Sequence, residues 1–153
     1  MAKTGEQARP CSSESAREFD FWVGEWDVTW GEKATGTNTI RSILDGCAIV
    51  EEFDAPTEDF HGTSVSCYNV KRGRWEQMWA DNAGNCWQFT GGMDGDDMVL
   101  STREVEDGRD VVLRMVFFEI KPDQFDWRRE RSADQGATWQ ELWRIHYRRR
   151  SSQ

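Results

Sequence analysis

Phe19-Asp20-Phe21-Trp22-Val23-Gly24-Glu25-Trp26-Asp27-Val28-Thr29-Trp30 changes character at Gly24. After it, large apolar residues alternate with polar ones. Trp26, Val28 and Trp30 fall on one side, and Glu25, Asp27 and Thr29 on the other. A β-strand sends successive side chains to opposite faces, so this alternation describes a strand with one buried face. Before it, Glu14 to Phe21 has helical composition with Ser13 placed as an N-cap, which predicts a short N-terminal helix.

Working outward from this strand, turn signals recur along the rest of the chain. They are Gly31-Glu32-Lys33, Asp45-Gly46, the Asp54 to Gly62 loop, Lys71-Arg72-Gly73 and Asn82-Ala83-Gly84. Gly91 through Asp97, Asp107-Gly108, Lys121-Pro122-Asp123 and Asp134-Gln135-Gly136 follow. Intervals of about 10–14 residues, filled with β-branched and aromatic residues, read as an all-β meander. No interval is long enough for a crossover helix, which excludes a parallel sheet. The predicted fold is all-β: about ten antiparallel strands closed into an up-and-down β-barrel, with a two-sheet sandwich as the alternative. Residues 1–18 read as a flexible leader and 19–150 as a single barrel domain.

Alternation also assigns the inner face. Gly36, Asn38, Ile40, Ser42 and Leu44 point inward on the second strand, and Ile49, Glu51 and Phe53 share a face on the third. Trp75, Gln77 and Trp79 share another, as do Phe125, Trp127 and Arg129, and Trp139, Trp143 and Tyr147. Strands near Ser64 to Tyr68 and Arg114 to Phe118 are mixed on both faces, so periodicity does not fix their register. A core built only for packing would be filled by Leu, Ile and Val. Large aromatics among convergent polar groups instead describe a ligand cavity. The residues expected to line it are Trp30, Asn38, Glu51, Tyr68, Gln77, Trp79, Arg114, Trp127 and Trp143. The expected partner is a small hydrophobic or aromatic molecule.

Composition narrows the classes. Acidic residues outnumber basic ones 28 to 19, for a formal net charge of -9, which argues against a nucleic-acid partner. Nine tryptophans and eight phenylalanines argue against disorder. The N-terminal stretch shows no apolar signal-peptide core, and no run is long enough to span a bilayer as a helix. The expected location is therefore cytoplasmic, without a membrane partner, as a monomer or homodimer. A reducing compartment makes Cys11, Cys47, Cys67 and Cys86 free thiols, the last three buried. The closing Arg148, Arg149 and Arg150 read as a solvated end.

An enzyme on the same barrel is the competing reading. Glu51 on an aromatic inner face would have a raised pKa unless a cation such as Arg114 paired with it. Left unpaired, it could act as a general base, with Tyr68 or His61 as partner in proton transfer, cyclisation or isomerisation. A heme barrel ranks third, because the phase of His146 opposes that of Tyr147 and sends its ring outward. With His61 and His146 as the only histidines, no three-histidine metal site can form. Asp94, Asp96 and Asp97 do not match a calcium loop, and no cofactor fingerprint occurs, so neither metal nor cofactor is expected. Ser132 to Trp139 has the form of an Asp-box, here a single copy and hence a structural hairpin turn.

The Gly24-x-Trp26 opening resembles that of the calycin barrels, which include lipocalins and fatty-acid-binding proteins. More closely, the chain resembles the lipocalin-like bacterial family known as domain of unknown function 1579. The resemblance rests on this opening, Ile43-Leu44-Asp45-Gly46-Cys47 with Glu51-Glu52, and Gly62 with Ser64 and Tyr68. It continues through Trp75-x-Gln77-x-Trp79-x-Asp81, Ser132-x-Asp134-x-Gly136-x-Thr138-Trp139 and Tyr147-Arg148-Arg149. It implies a β-barrel with an interior cavity and names no activity.

Overall fold

A computed structural model describes residues 9–151. Its strands are β1 (Gly24–Trp30), β2 (Ala34–Ile43), β3 (Ala48–Ala55), β4 (Phe60–Asn69) and β5 (Arg74–Asp81). They continue as β6 (Cys86–Asp94), β7 (Asp97–Glu106), β8 (Arg109–Phe118), β9 (Gln124–Ser132) and β10 (Gln140–Arg149). Each strand pairs antiparallel with its neighbours in sequence, and β10 returns to β1. The result is the expected closed barrel, which leaves no strand edge unpaired.

Turn chemistry sets the register. Asp107 and Gly108 both take positive φ (50° and 76°) between the paired Glu106 and Arg109, as a two-residue hairpin loop demands. In the β9–β10 turn, the Asp134 carboxylate accepts bonds from Thr138 N and Oγ1 and from Ser132 Oγ. Those donors hold the Asp134 carboxyl down at about 2.

The expected N-terminal helix is two short 3-10 turns, Ser15–Arg17 and Asp20–Trp22. Ser13 caps the first by accepting from Ala16 N at 3.2 Å. Side chains three apart eclipse in a 3-10 turn. Phe19 and Trp22 therefore point the same way, into one end of the barrel, where both are completely buried. They meet Phe117 edge-on at 5.1 and 5.2 Å and form the floor.

The floor is locked by Arg149. Its guanidinium lies 4.3 Å from the Trp26 ring centroid and donates to the carbonyls of Val23, Phe21 and Pro122 at 2.8, 3.2 and 3.0 Å. Trp26 Nε1 donates to Trp22 O at 2.7 Å. Gly24, at φ 139°, makes the bend that feeds the turn into β1 in a conformation only glycine adopts readily. The C-terminal arginines are thus not simply a solvated end.

The structure corrects several further expectations. Cys11 and Cys47 form a disulfide, leaving Cys67 half-buried and Cys86 exposed as free thiols. The bond ties the segment ahead of the floor to the start of β3, and the Arg17 guanidinium donates to the Gly46 carbonyl beside it. Of the leader assigned to 1–18, residues 1–8 lie outside the described residues. Ser42 keeps the inward phase of Ile40 and pairs with Ile49 but is exposed at the end of β2, and Leu44 is exposed because the chain leaves the strand through left-handed Leu44 and Asp45. On β8, Val111, Leu113, Met115 and Phe117 point inward, so Arg114 lies on the outer face, paired with Glu130 at 2.9 Å and stacked on Trp139.

Trp26→Ala is expected to cost about 3–5 kcal/mol in urea unfolding, as for other buried aromatics. Arg149→Ala should destabilise through the same contact, so the double variant should lose at least about 0.5 kcal/mol less than the sum. Strict additivity would show that the stack contributes nothing. For the cysteines, alkylation of the denatured, unreduced protein should label Cys67 and Cys86, and prior reduction should add Cys11 and Cys47. Labelling of all four without reductant would show that the bond does not form.

Candidate functional site

Above the floor the barrel is hollow. A cavity of about 790 Å³ extends from Trp22 and Phe117 toward the Asp81–Asn85 turn at the opposite end. Aromatic rings dominate its upper half. Trp143 on β10 is their hub, lying 5.5 Å from Trp30, 5.8 Å from Phe53, 6.2 Å from Phe60 and 5.6 Å from Trp127. Trp30, Phe60, Trp79, Trp87, Trp127 and Trp143 are only partly buried, in contrast to the floor. The cavity therefore opens through this ring of aromatics.

Local sequence fixes the rings. Trp79 Nε1 donates to Asp81 Oδ2 at 2.8 Å, which orients the indole across the mouth. Gly62 on β4, paired with Asp81, gives the ring room; a Cβ there would collide with the Trp79 six-membered ring. Asp81 in turn accepts from Ala83 N and from Asn85 N and Nδ2, so one carboxylate closes the β5–β6 turn and aims the tryptophan. Those donors hold the Asp81 carboxyl below its ordinary value although its burial acts the other way.

The lower half is polar and buried. Glu51 receives Asn38 Nδ2 at 2.7 Å and Ser64 Oγ at 2.8 Å, and Asn38 Nδ2 also reaches the Tyr147 hydroxyl at 2.8 Å. Gln77 donates to Ser66 Oγ at 2.9 Å. These partners explain why β4 turns Ser64 and Ser66 inward and Val65 outward, against hydrophobicity. Among the described residues no cation pairs with Glu51. Burial raises its carboxyl to about 7, although the Asn38 and Ser64 donors pull downward. Burial, then the Glu51 charge, also raises the Tyr147 phenol well above its usual value.

Of the residues expected at the cavity, Trp30, Glu51, Gln77, Trp79, Trp127 and Trp143 line it. Asn38 stands behind Glu51 as its donor. Tyr68 packs edge-on against Trp75 near the closed end, away from the lining. Arg114 is outside the barrel, so it cannot neutralise Glu51. His61 faces outward opposite Asp54, and its exposed ring takes no part in the cavity. Glu51 is thus not brought together with Tyr68 or His61; the hydroxyls near Glu51 belong to Ser64 and, through Asn38, Tyr147. His146 also points outward, as its phase requires, with Nδ1 2.8 Å from Asp126.

Sequence reasoning missed Arg129, Trp87 and Phe60 as lining residues. Alternation puts Arg129 on the inner face with Trp127 but signals no role for it. Trp87-x-Phe89 alternates legibly, whereas Phe60 was hidden in what read as a loop and proves to begin β4. Arg129 Nε is buried without a hydrogen-bond partner, its Cζ lies 5.2 Å from the Trp87 centroid, and burial lowers its pKa against a smaller opposing pull from Asp81.

Together these features define a closed antiparallel β-barrel with an aromatic-rimmed, polar-based cavity. Residues 18–149 match the family described as Protein of unknown function (DUF1579), and the chain belongs to that family. No curated protein matches the chain.

The buried carboxyl makes a signed prediction. Its folded value of about 7 lies above the ordinary 4.5 of an exposed glutamate, so the protonated form favours the fold. That contribution is complete below about pH 4.5 and is lost as pH rises through about 7, amounting to on the order of 3 kcal/mol. Glu51→Gln keeps a neutral hydrogen-bonding group there and removes the titration. In urea unfolding across this window, the parent should therefore lose stability relative to Glu51→Gln as pH rises. A constant difference would refute the raised value.

Proposed function

We propose that this protein is a lipocalin-like binding barrel that takes an aromatic or amphipathic small molecule into the tryptophan-rimmed cavity. The observation that carries this reading is the cavity itself: about 790 Å³, within the range of small-molecule sites, open at one end and lined by aromatic faces with few polar groups. Trp30 and Trp127 meet Trp143 edge to face, a geometry that an inserted aromatic ring can extend. The acidic balance, net charge -9, supports a small molecule over a polyanion as partner. The Cys11–Cys47 bond supports an oxidising compartment over the cytoplasm, because disulfides persist where thiols are not kept reduced.

A second reading, an enzyme for proton transfer, is favoured by one observation. Glu51 lines the cavity without a cation partner, and its value of about 7 suits a general acid or base. Such an enzyme would use Glu51 with its Asn38 and Ser64 donors, and neither Tyr68 nor His61.

N-phenylnaphthylamine, a neutral aromatic fluorophore, should brighten on titration with the protein and quench its tryptophan emission. Trp79→Ala and Trp143→Ala should weaken that response while costing less than half as much stability as Trp26→Ala, since their rings border space rather than fill the floor. If the probe does not bind and all three variants destabilise equally, the interior is a packed core and the binding reading falls.

A further inference from the structure

Among the described residues lining the cavity, Arg129 is the only cation. Its neighbours in β9, Arg128 and Glu130, project to the outer face, where Glu130 accepts from both Arg114 and Arg128 at 2.9 Å. The barrel thus satisfies its outer arginines with a carboxylate and sends the third inward without one. In the ladder Arg129 stands between Met115 and Trp143, and its guanidinium lies beside the Trp87 face. Its Nε has no hydrogen-bond partner.

The carboxylates at the mouth do not meet this need. Both oxygens of Asp81 are occupied by Trp79, Ala83 and Asn85. Glu58 is exposed on the rim and accepts from Trp30 Nε1 at 3.2 Å. A guanidinium held among aromatic rings carries a desolvation cost that a facing anion would offset.

We infer that the ligand is a monoanion, a carboxylate on an aromatic body, and that the Arg129 guanidinium receives its acidic end. This rests on the binding reading above. One cation matches one negative charge, and a guanidinium's parallel N–H groups match the two oxygens of a carboxylate. Trp143 beside Arg129 in the ladder, and Trp87 against its guanidinium, place stacking surface where the ring next to that carboxylate would lie. A cationic ligand would bring a second positive charge to an arginine that has no hydrogen-bonded carboxylate and feels Asp81 only at a distance.

The test uses naphthylacetic acid, naphthylacetamide and naphthylethylamine, which share one ring system and differ in charge. Each competes with N-phenylnaphthylamine for the full chain at about pH 6, where the acid is ionised and Glu51 is mostly protonated. The acid should bind about tenfold or more tightly than the amide, as expected for a charge-assisted bond in a partly buried site, and the amine most weakly. Arg129→Gln should bring the acid to the amide's level, a loss much larger than any change in amide or fluorophore binding, and Arg129→Lys should keep part of the preference. An unchanged near-ultraviolet circular dichroism spectrum certifies that the variants are folded. Equal binding of acid and amide by the parent, tightest binding of the amine, or an acid preference that survives Arg129→Gln overturns the inference and leaves the binding reading standing. Failure of the parent to bind the fluorophore and all three compounds overturns both.

Discussion

The stack of Arg149 on Trp26 is the contact on which the rest of the barrel depends. A closed sheet of ten strands has two open ends, and each end exposes core unless something covers it. Here one guanidinium covers the indole of the first strand and grips three carbonyls, from Phe21, Val23 and Pro122. That single side chain joins the last strand, the first strand, the N-terminal turn and the β8–β9 loop. With Phe19 and Trp22 fixed beneath it, one end is sealed and apolar surface at the other can remain open. The disulfide and the Arg17 contact with Gly46 reinforce the same end, holding the approach to the floor against β3.

Above the floor, polarity and volume are arranged in opposition. The deep layer contains a buried carboxyl, an amide, a phenol and serines; the mouth contains the aromatic rings. Ionising Glu51 costs the fold stability, because burial without a cation raises its carboxyl to about 7. Its donors, Asn38 and Ser64, are themselves buried, and Asn38 also bonds the Tyr147 hydroxyl. A group held at this disadvantage, facing a cavity, is the kind of feature that functional sites retain. Arg129 is its counterpart nearer the mouth, a cation with no directly bonded anion where Glu51 is an acid with no paired cation.

Much of this was legible in the sequence. Alternation from Gly24 to Trp30 and the evenly spaced turns led to a ten-stranded up-and-down barrel, because strand period and turn residues are local properties. The same reasoning placed Glu51, Gln77, Trp79, Trp127 and Trp143 on the inner face. What failed was governed by contacts between distant residues. Cys11 and Cys47 are 36 apart in the chain, and nothing in their spacing signals a bond. Arg149 looks like tail charge until Trp26, across the β1–β10 seam, lies beneath it. In β8 the apolar residues nearly fill both faces, so Arg114 could be assigned inside; its partner Glu130 on β9 decides the matter. Ser64 and Ser66 face inward because Glu51 and Gln77 require partners, which periodicity cannot express.

The size of the cavity constrains what occupies it. At about 24 cal/mol per Å³, a dry void of 790 Å³ would cost on the order of 19 kcal/mol, more than the roughly 5–15 kcal/mol by which domains are stable. A barrel of this sequence therefore does not enclose a vacuum; water or ligand fills the space, and the partly exposed aromatic ring lets them exchange. Water is a poor occupant beside so many indole faces, and ordering it there gains few hydrogen bonds. It is a better one around Glu51, Gln77 and Arg129, where polar atoms are available. The free energy of displacing that water is thus unequally distributed: favourable near the tryptophans, unfavourable near the charges unless the incoming molecule replaces the lost hydrogen bonds. A wholly apolar ligand would gain the first and forfeit the second. An amphipathic one gains the first without the second loss, and its orientation is set by which end can satisfy a guanidinium.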